Sequence, residues 1–384
     1  MQACCGCGAC VAVCPCQCLT MQRDGEGFDY PLVDQAACVD CGLCRRVCPA
    51  LHPNLMETPE GPDVYAAAAL DDPLRAKSSS GGIFSVIANW MFSQRGVVYG
   101  AAFVDGCRKV RHVRIDRADE LDLLRRSKYV QSTIVKEVYA ELKNDVQTGR
   151  KVLFVGTPCQ VAAIKNVLGA VTSQVLSCDL ICHGVGSPSI FESYIDLLNH
   201  KNKGIITECS FRDKSQGWSS KHRVSYRFAS GKSVAFPAKH DLYLFGFLDN
   251  LFLRPVCHSC RFASAQRPGD LTLGDFWGIA KYEPEWDDGK GTSALMVNSE
   301  TGRGIWNAVS DKIRSKVMPL SVVIAGNRRL QSPSTKSPLR DAFFGALNTE
   351  NFEIVMRKYC QPKRSLRVYV GQWHRWLRQR MGLR

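Results

Sequence analysis

Cysteine is the residue of this chain whose spacing speaks first. Cys4, Cys7, Cys10 and Cys14-Pro15 follow C-x2-C-x2-C-x3-C-P, and Cys38, Cys41, Cys44 and Cys48-Pro49 repeat it 34 residues later. Three thiolates at two-residue intervals let one tight turn wrap three corners of an iron–sulfur cubane, and the fourth reaches the other cluster. The pattern therefore predicts two [4Fe–4S] clusters, one held by Cys4, Cys7, Cys10 and Cys48, the other by Cys38, Cys41, Cys44 and Cys14. Gly6, Gly8 and Gly42 sit between ligands, where the backbone must come close to sulfur. A pair of zinc sites or a disulfide knot is the competing reading, and two complete runs with both prolines speak against it. Cys5, Cys16 and Cys18 lie outside the pattern and read as spare thiols.

Four more cysteines are spread along the chain. "GTPCQ" supplies Cys159, "DLICHG" supplies Cys182, and "RPVCHSC" supplies Cys257 and Cys260 at CxxC spacing. They make one further tetrahedral set, enough for a third [4Fe–4S] cluster or for a zinc ion. Cys178 is an alternative to Cys182; Cys107, Cys209 and Cys360 read as buried thiols. His183 adjoins a ligand and is a candidate proton donor, or a histidine hydrogen-bonded behind the cluster. "KSSSGGIFS" places Ser79, Ser80, Gly81 and Gly82 before a helix, as a phosphate cradle or a plain N-cap. "SFRDKSQGWSSK" mixes Arg212, Lys214 and Trp218, which suits an anionic, ring-bearing ligand or a solvated basic loop.

These residues need elements to position them. Val64 to Leu70, Val97 to Phe103 and Lys151 to Val155 read as strands, Ile83 to Gln94 and Ile190 to Leu198 as helices. "RVSYRFASGKSVAF" reads as a hairpin turning at "SGK". Pro49, Pro53, Pro59 and Pro62 mark a linker. The expectation is an α+β protein: a ferredoxin-like two-cluster module over 1–57, a mixed α/β module over 64–345, and a basic tail over 346–384.

Hydrophobic residues make up 45% and charged residues 22% of the 384, ordinary for a globular chain. No apolar run approaches the about 18 residues of a membrane helix, and no signal-peptide pattern opens the sequence. The expected compartment is the cytoplasm, where crowded cysteines bind metal rather than each other. The net charge is +14, yet nine Lys or Arg and no acid fall between Arg357 and Arg384. Such a local excess excludes a broadly nucleic-acid-binding surface. Trp373, Trp376, Leu377 and Met381 share a helical face there, which fits peripheral contact with an anionic membrane or packing on the protein itself.

Together, "SSSGG", "RRSKYVQS", "GTPCQVAAIK", "ICHG", "SFRDKSQGW", "RPVCHSC" and "LGDFWG" resemble the beta subunits of coenzyme F420-reducing hydrogenases and F420-linked formate dehydrogenases. The resemblance implies FAD in the second module, contacted by Ser79, Ser80, Gly81, Gly82, Lys128 and Gln131. It also implies a [4Fe–4S] cluster on Cys159, Cys182, Cys257 and Cys260 in place of zinc. The expected activity is an oxidoreductase moving electrons between the clusters and FAD, and to or from a deazaflavin or another organic substrate, with a redox protein or the deazaflavin as partner. A flavin-free relay protein, or an accessory protein of surface-polysaccharide synthesis, is the alternative.

Overall fold

The computed structural model describes residues 3–56, 61–218 and 222–362. The N-terminal module carries β1 (Leu19–Arg23) and β2 (Asp29–Val33), paired antiparallel as a hairpin. Two four-residue helices, Ala9–Ala12 and Leu43–Arg46, begin at Gly8 (φ 78°) and Gly42 (φ 69°). The left-handed region at both starts is one that a residue with a Cβ reaches only at a cost. The duplication in sequence is thus a duplication in backbone.

An eight-stranded sheet organises the second module. Its strands are β3 (Asp63–Ala69), β4 (Val97–Val104), β5 (Lys109–Ile115), β6 (Val152–Gly156), β7 (Val175–Leu180), β11 (Leu271–Asp275), β12 (Ser293–Val297) and β13 (Ile313–Val317), in the order β13-β3-β12-β11-β7-β6-β4-β5. The four central strands β11, β7, β6 and β4 run parallel, and antiparallel strands close both sides. Of these, β4 and β6 read as nearly unbroken apolar runs because both faces are covered; Val152, Leu153 and Phe154 of β6 are all buried.

A smaller antiparallel sheet, β8 (Ile206–Asp213), β9 (Arg223–Phe228) and β10 (Ser233–Pro237), contains the expected hairpin. Its turn uses Gly231 at φ 84°. The expected strands and helices of the sheet coincide with β3, β4, β6, Ile83–Ser93 and Pro188–Asn202. The fold is α+β, as the sequence predicts.

The two modules share a core. Cys7, Ala9 and Val47 from the first pack with Tyr139, Leu142 and Val161 from the second. The helix Phe352–Tyr359 follows the expected start of the tail, yet its Val355 and Met356 are buried with Phe252 and Phe343 in the core under β8–β10. The amphipathic segment with Trp373, Trp376, Leu377 and Met381 lies outside the described residues. Among the described residues no helix is long and apolar enough to cross a membrane.

Candidate functional site

The repeated thiols face one another across the N-terminal module. Cys10 is pushed up to about 11, first by burial and then by the charges of Cys4, Cys48 and Cys44. Cys14 and Cys18 stand 3.3 Å apart, sulfur to sulfur. Hydrogen bonding to Cys14, then burial, raises Cys18, and Cys38 adds to the rise. So Cys18, with no place in the spacing pattern, sits among the ligand thiols. Cys16 and Cys41 are both exposed.

Cys159, Cys182, Cys257 and Cys260 converge beneath this module. Thr157 caps the helix Pro158–Leu168 through a reciprocal capping box with Gln160, and Pro158 fixes its first turn. That turn presents Cys159. Cys182 follows the end of β7, and Gly184 beyond it, at φ 141°, has no room for a Cβ, which would meet Leu253 Cδ1 at 2.9 Å and Cys257 Cβ at 3.3 Å. The turn Pro255–Ser259 brings in Cys257 and leads to Cys260. The four thiols, with Cys5 and His183, line one cavity of about 120 Å³.

Crowded thiols resist ionising together. Hydrogen bonding to Cys5, then burial, lifts Cys159 well above the thiol range, and burial lifts Cys182 likewise. Burial pushes Cys257 up to about 12 and raises Cys260 as well. Four adjacent thiolates need a strong positive charge between them, which is what iron supplies. Among the described residues no three His, Cys, Asp or Glu side chains gather tightly around one point as a single ion requires. A cubane asks less, since it holds its thiolates at separate corners. The donor set fits a [4Fe–4S] cluster.

A buried ion pair underlies the Cys182 loop. Asp179 accepts from Arg267 Nε (3.0 Å) and Nη2 (2.7 Å), from Gly269 N (2.8 Å) and from Thr272 Oγ1 (2.9 Å). His183 pairs its Nε2 with Asn250 Oδ1 at 2.7 Å and its carbonyl with the Ser334 hydroxyl. Burial holds its pKa below the ordinary histidine value.

A second cavity, about 560 Å³, lies between β8–β10 and the loop before β12. Arg126, Arg212, Lys214, Arg227 and Lys290 line it. Arg212 is buried, pairs with Asp275 at 3.2 Å and stacks 4.8 Å over Trp277, yet its Nε has no hydrogen-bond partner. Trp277 stacks on Trp218 at 5.2 Å. Lys214 ties the floor together, donating to the carbonyls of Arg75, Ser80 and Lys290. Burial, then Arg75, presses its pKa down to about 8. The cavity also carries Asp72, Glu208 and Asp213, and Lys290 pairs with Asp72 and Arg227 with Glu208. The remaining surplus of cations and the unmatched N–H of Arg212 fit an anionic group such as a nucleotide's diphosphate, while the two indoles lie behind Arg212.

The expected flavin contacts spread over two places. Ser79 Oγ accepts from Ser127 N, Ser80 Oγ donates to Thr292 O, and Gly81 N donates to Ser293 Oγ. Gly82 opens the helix Ile83–Ser93 in the left-handed region. This loop touches the basic cavity's floor through Lys214. Lys128 donates to Leu123 O and Arg125 O over the Phe103 ring, and burial presses its pKa down to about 7. Gln131 stands apart from the rest, donating to Cys5 O and Gly6 O and accepting from Arg254. Cys5, read from the sequence as a spare thiol, and Arg254, the first residue of "RPVCHSC", both line the four-thiol cavity, and Arg267 supports its Cys182 loop; nothing in their local spacing marks those places.

A two-cluster thiol module packed on an α/β module with a further four-thiol centre defines an iron–sulfur electron-transfer protein. Residues 149–322 match the family described as the C terminus of the coenzyme F420 hydrogenase/dehydrogenase beta subunit. Residues 3–51 match the 4Fe-4S dicluster domain. Among solved structures, the chain is similar to one from the F420-reducing [NiFe] hydrogenase complex of Methanosarcina barkeri. The identity is 17% and the TM-score 0.49, over 74% of this chain and 99% of that one. No curated protein matches.

Proposed function

We propose that this chain is an iron–sulfur flavoprotein oxidoreductase, moving electrons between its N-terminal clusters and FAD, and to or from a deazaflavin or another organic substrate. The observation that carries the reading is the convergence of Cys159, Cys182, Cys257 and Cys260 in one cavity that Cys5 of the dicluster module also lines. When bound, clusters exchange single electrons and FAD exchanges one or two, so the pair interconverts the two currencies.

The chain's own residues give each group a place. Cys4, Cys7, Cys10 and Cys48 would hold one cluster, Cys38, Cys41, Cys44 and Cys14 the second, and the four converging thiols the third. Arg126, Arg212 and Lys214 in the lining would neutralise a diphosphate, and the Trp277 ring, stacked on Trp218, would hold the Arg212 guanidinium in place for it. Ser79, Ser80, Gly81 and Gly82 support that floor from behind, since their polar groups are already engaged within the protein. His183, half-buried and tied to Asn250, orients the Cys182 loop in this reading instead of carrying the proton.

Anaerobic purification followed by iron, sulfide and flavin analysis tests it. Three clusters give about twelve iron atoms per chain, accompanied by one FAD. About eight iron atoms without flavin would replace this reading with the flavin-free relay.

A further inference from the structure

Arg254 is buried outright at 0% exposure, and its surroundings are unusual for a cation. Its Nε donates to Cys4 O (2.7 Å), Nη1 to Gln131 Oε1 (2.8 Å), and Nη2 to Asp29 O (2.9 Å), with Cys4 Sγ 3.8 Å from Nη2. The guanidinium stacks 4.2 Å over the Tyr30 ring and 5.4 Å from that of Phe28. Every polar partner is neutral, and among the described residues no carboxylate pairs with it. Elsewhere in this protein the buried arginines have their anions: Arg267 has Asp179, Arg340 has Glu26, Arg75 has Asp288 and Arg212 has Asp275.

A buried charge without a counter-charge is strongly destabilising, as a buried pair is when one partner is removed. The anion that offsets it must therefore be something other than a carboxylate. The groups nearest to hand are the proposed ligand thiols, which would be thiolates when they hold a cluster. Cys4 belongs to the first cluster's ligand set, and Arg254 lines the cavity of Cys159, Cys182, Cys257 and Cys260. The backbone is built to admit the guanidinium. Gly6 has φ +69°, and a Cβ there would meet Gln131 Nε2 at 2.3 Å and Arg254 Nη1 at 2.6 Å.

We infer that Arg254 is a positioning residue between two redox centres: its fixed charge raises the reduction potentials of both the Cys4-containing cluster and the Cys159/Cys182/Cys257/Cys260 cluster. Taking up one electron makes a cluster one unit more negative, and a nearby cation in a low-dielectric site stabilises that state. Gln131 accepts from the guanidinium and donates to the carbonyls of Cys5 and Gly6, which ties Arg254 to the loop of the first cluster's ligands. Placed between the centres, one charge serves both, and the cluster held by Cys38, Cys41, Cys44 and Cys14 is left to its own surroundings. The inference rests on the cluster assignment proposed above.

Redox titration of the anaerobically purified full chain, followed by low-temperature electron paramagnetic resonance, tests it with two variants that act by different means. Arg254→Gln removes the charge. Gln131→Glu leaves Arg254 in place and pairs it with a carboxylate. Both are expected to lower two of the three potentials by about tenfold in the oxidised-to-reduced ratio at fixed poise, about 59 mV for a one-electron couple. Arg254→Lys, which keeps the charge, should restore most of the loss. Unchanged potentials in either variant with full iron, or an equal shift of all three, would overturn the inference. Should Arg254→Gln assemble too little iron, Gln131→Glu decides alone. A wild-type chain that titrates as only two clusters would defeat the third-cluster reading, while the shift of the Cys4-containing cluster still judges Arg254.

Discussion

At the scale of single residues, the thiols divide by how their role is written. The eight N-terminal ligands were legible because a cubane imposes its spacing on adjacent sequence. Cys159, Cys182, Cys257 and Cys260 were legible only as a set of four, since a fold has to bring them together. Cys260→Ser should cost about four of about twelve iron atoms and leave the dicluster spectrum intact. Loss of the dicluster signal as well would show that the centres assemble as one unit. The placement of Cys5 and Arg254 was not legible, because their partners Cys159 and Cys4 lie far away in sequence. The same holds for His112, which is buried, stacks on Phe154 at 5.2 Å and bonds Val155 O at 3.1 Å. Burial pushes its pKa from 6.5 down to about 4. The neutral ring therefore contributes stability that is present above pH 6.5 and is lost as pH falls toward 4. In that window each pH unit costs up to about 1.4 kcal/mol. Melting temperatures taken from pH 7.5 to 5.5 should fall, and His112→Gln, which keeps a donor for Val155, should fall less; parallel curves would remove His112 from the acid response.

At the scale of elements, local pattern carried further than partnership. The hairpin β9–β10 follows from alternation and a glycine turn, and β6 and β7 follow from apolar runs flanked by helices. The sheet order does not follow. β3 pairs with β12 and β13, more than two hundred residues downstream, and only the packed sheet selects those neighbours. The register of β7 against β11 matters most for the site, as it delivers Asp179 to Arg267 and sends the chain on to Cys182. Both side chains of that pair are all but inaccessible, and Asp179 also holds Gly269 and Thr272. Asp179→Asn would leave the Arg267 charge buried and unpaired, at a cost of about 3–5 kcal/mol. Denaturant unfolding should show that loss, with lower iron retention as the Cys182 loop loosens. Wild-type stability in the variant would mean that the carbonyls of Phe262, Ser264 and Leu180 suffice for Arg267.

At the scale of the whole molecule, the expected picture of two modules on a proline-rich linker becomes one of modules clamped together. Hydrophobic patterning could not show this, since each module reads as complete by itself. Beside the shared apolar core, the clamp has a polar part that comes from residues of no sequence motif. Glu26, in the turn between β1 and β2, takes both terminal nitrogens of the buried Arg340. The Glu26 carbonyl accepts from Ser187 Oγ at 2.6 Å, and Arg23 reaches Glu192 at 3.0 Å. Arg340 also donates to Leu253 O, beside Arg254, so a single guanidinium fixes the hairpin and the strand of chain that lies against Cys4. Electron transfer between fixed centres, as proposed above, would need their separation held constant, and this ion pair is one of the contacts on the hairpin side. Glu26→Gln keeps the shape and removes the charge, leaving Arg340 buried without an anion. Hydrogen exchange of residues 19–33 should then quicken by about tenfold, the equivalent of about 1.4 kcal/mol of local stability. Iron content should stay at the wild-type value, because no ligand thiol touches Glu26 or Arg340. Exchange that quickens equally in the β9–β10 hairpin would point to general loosening, and unchanged exchange in 19–33 would assign the hold on the hairpin to the shared apolar core around Cys7 and Val47.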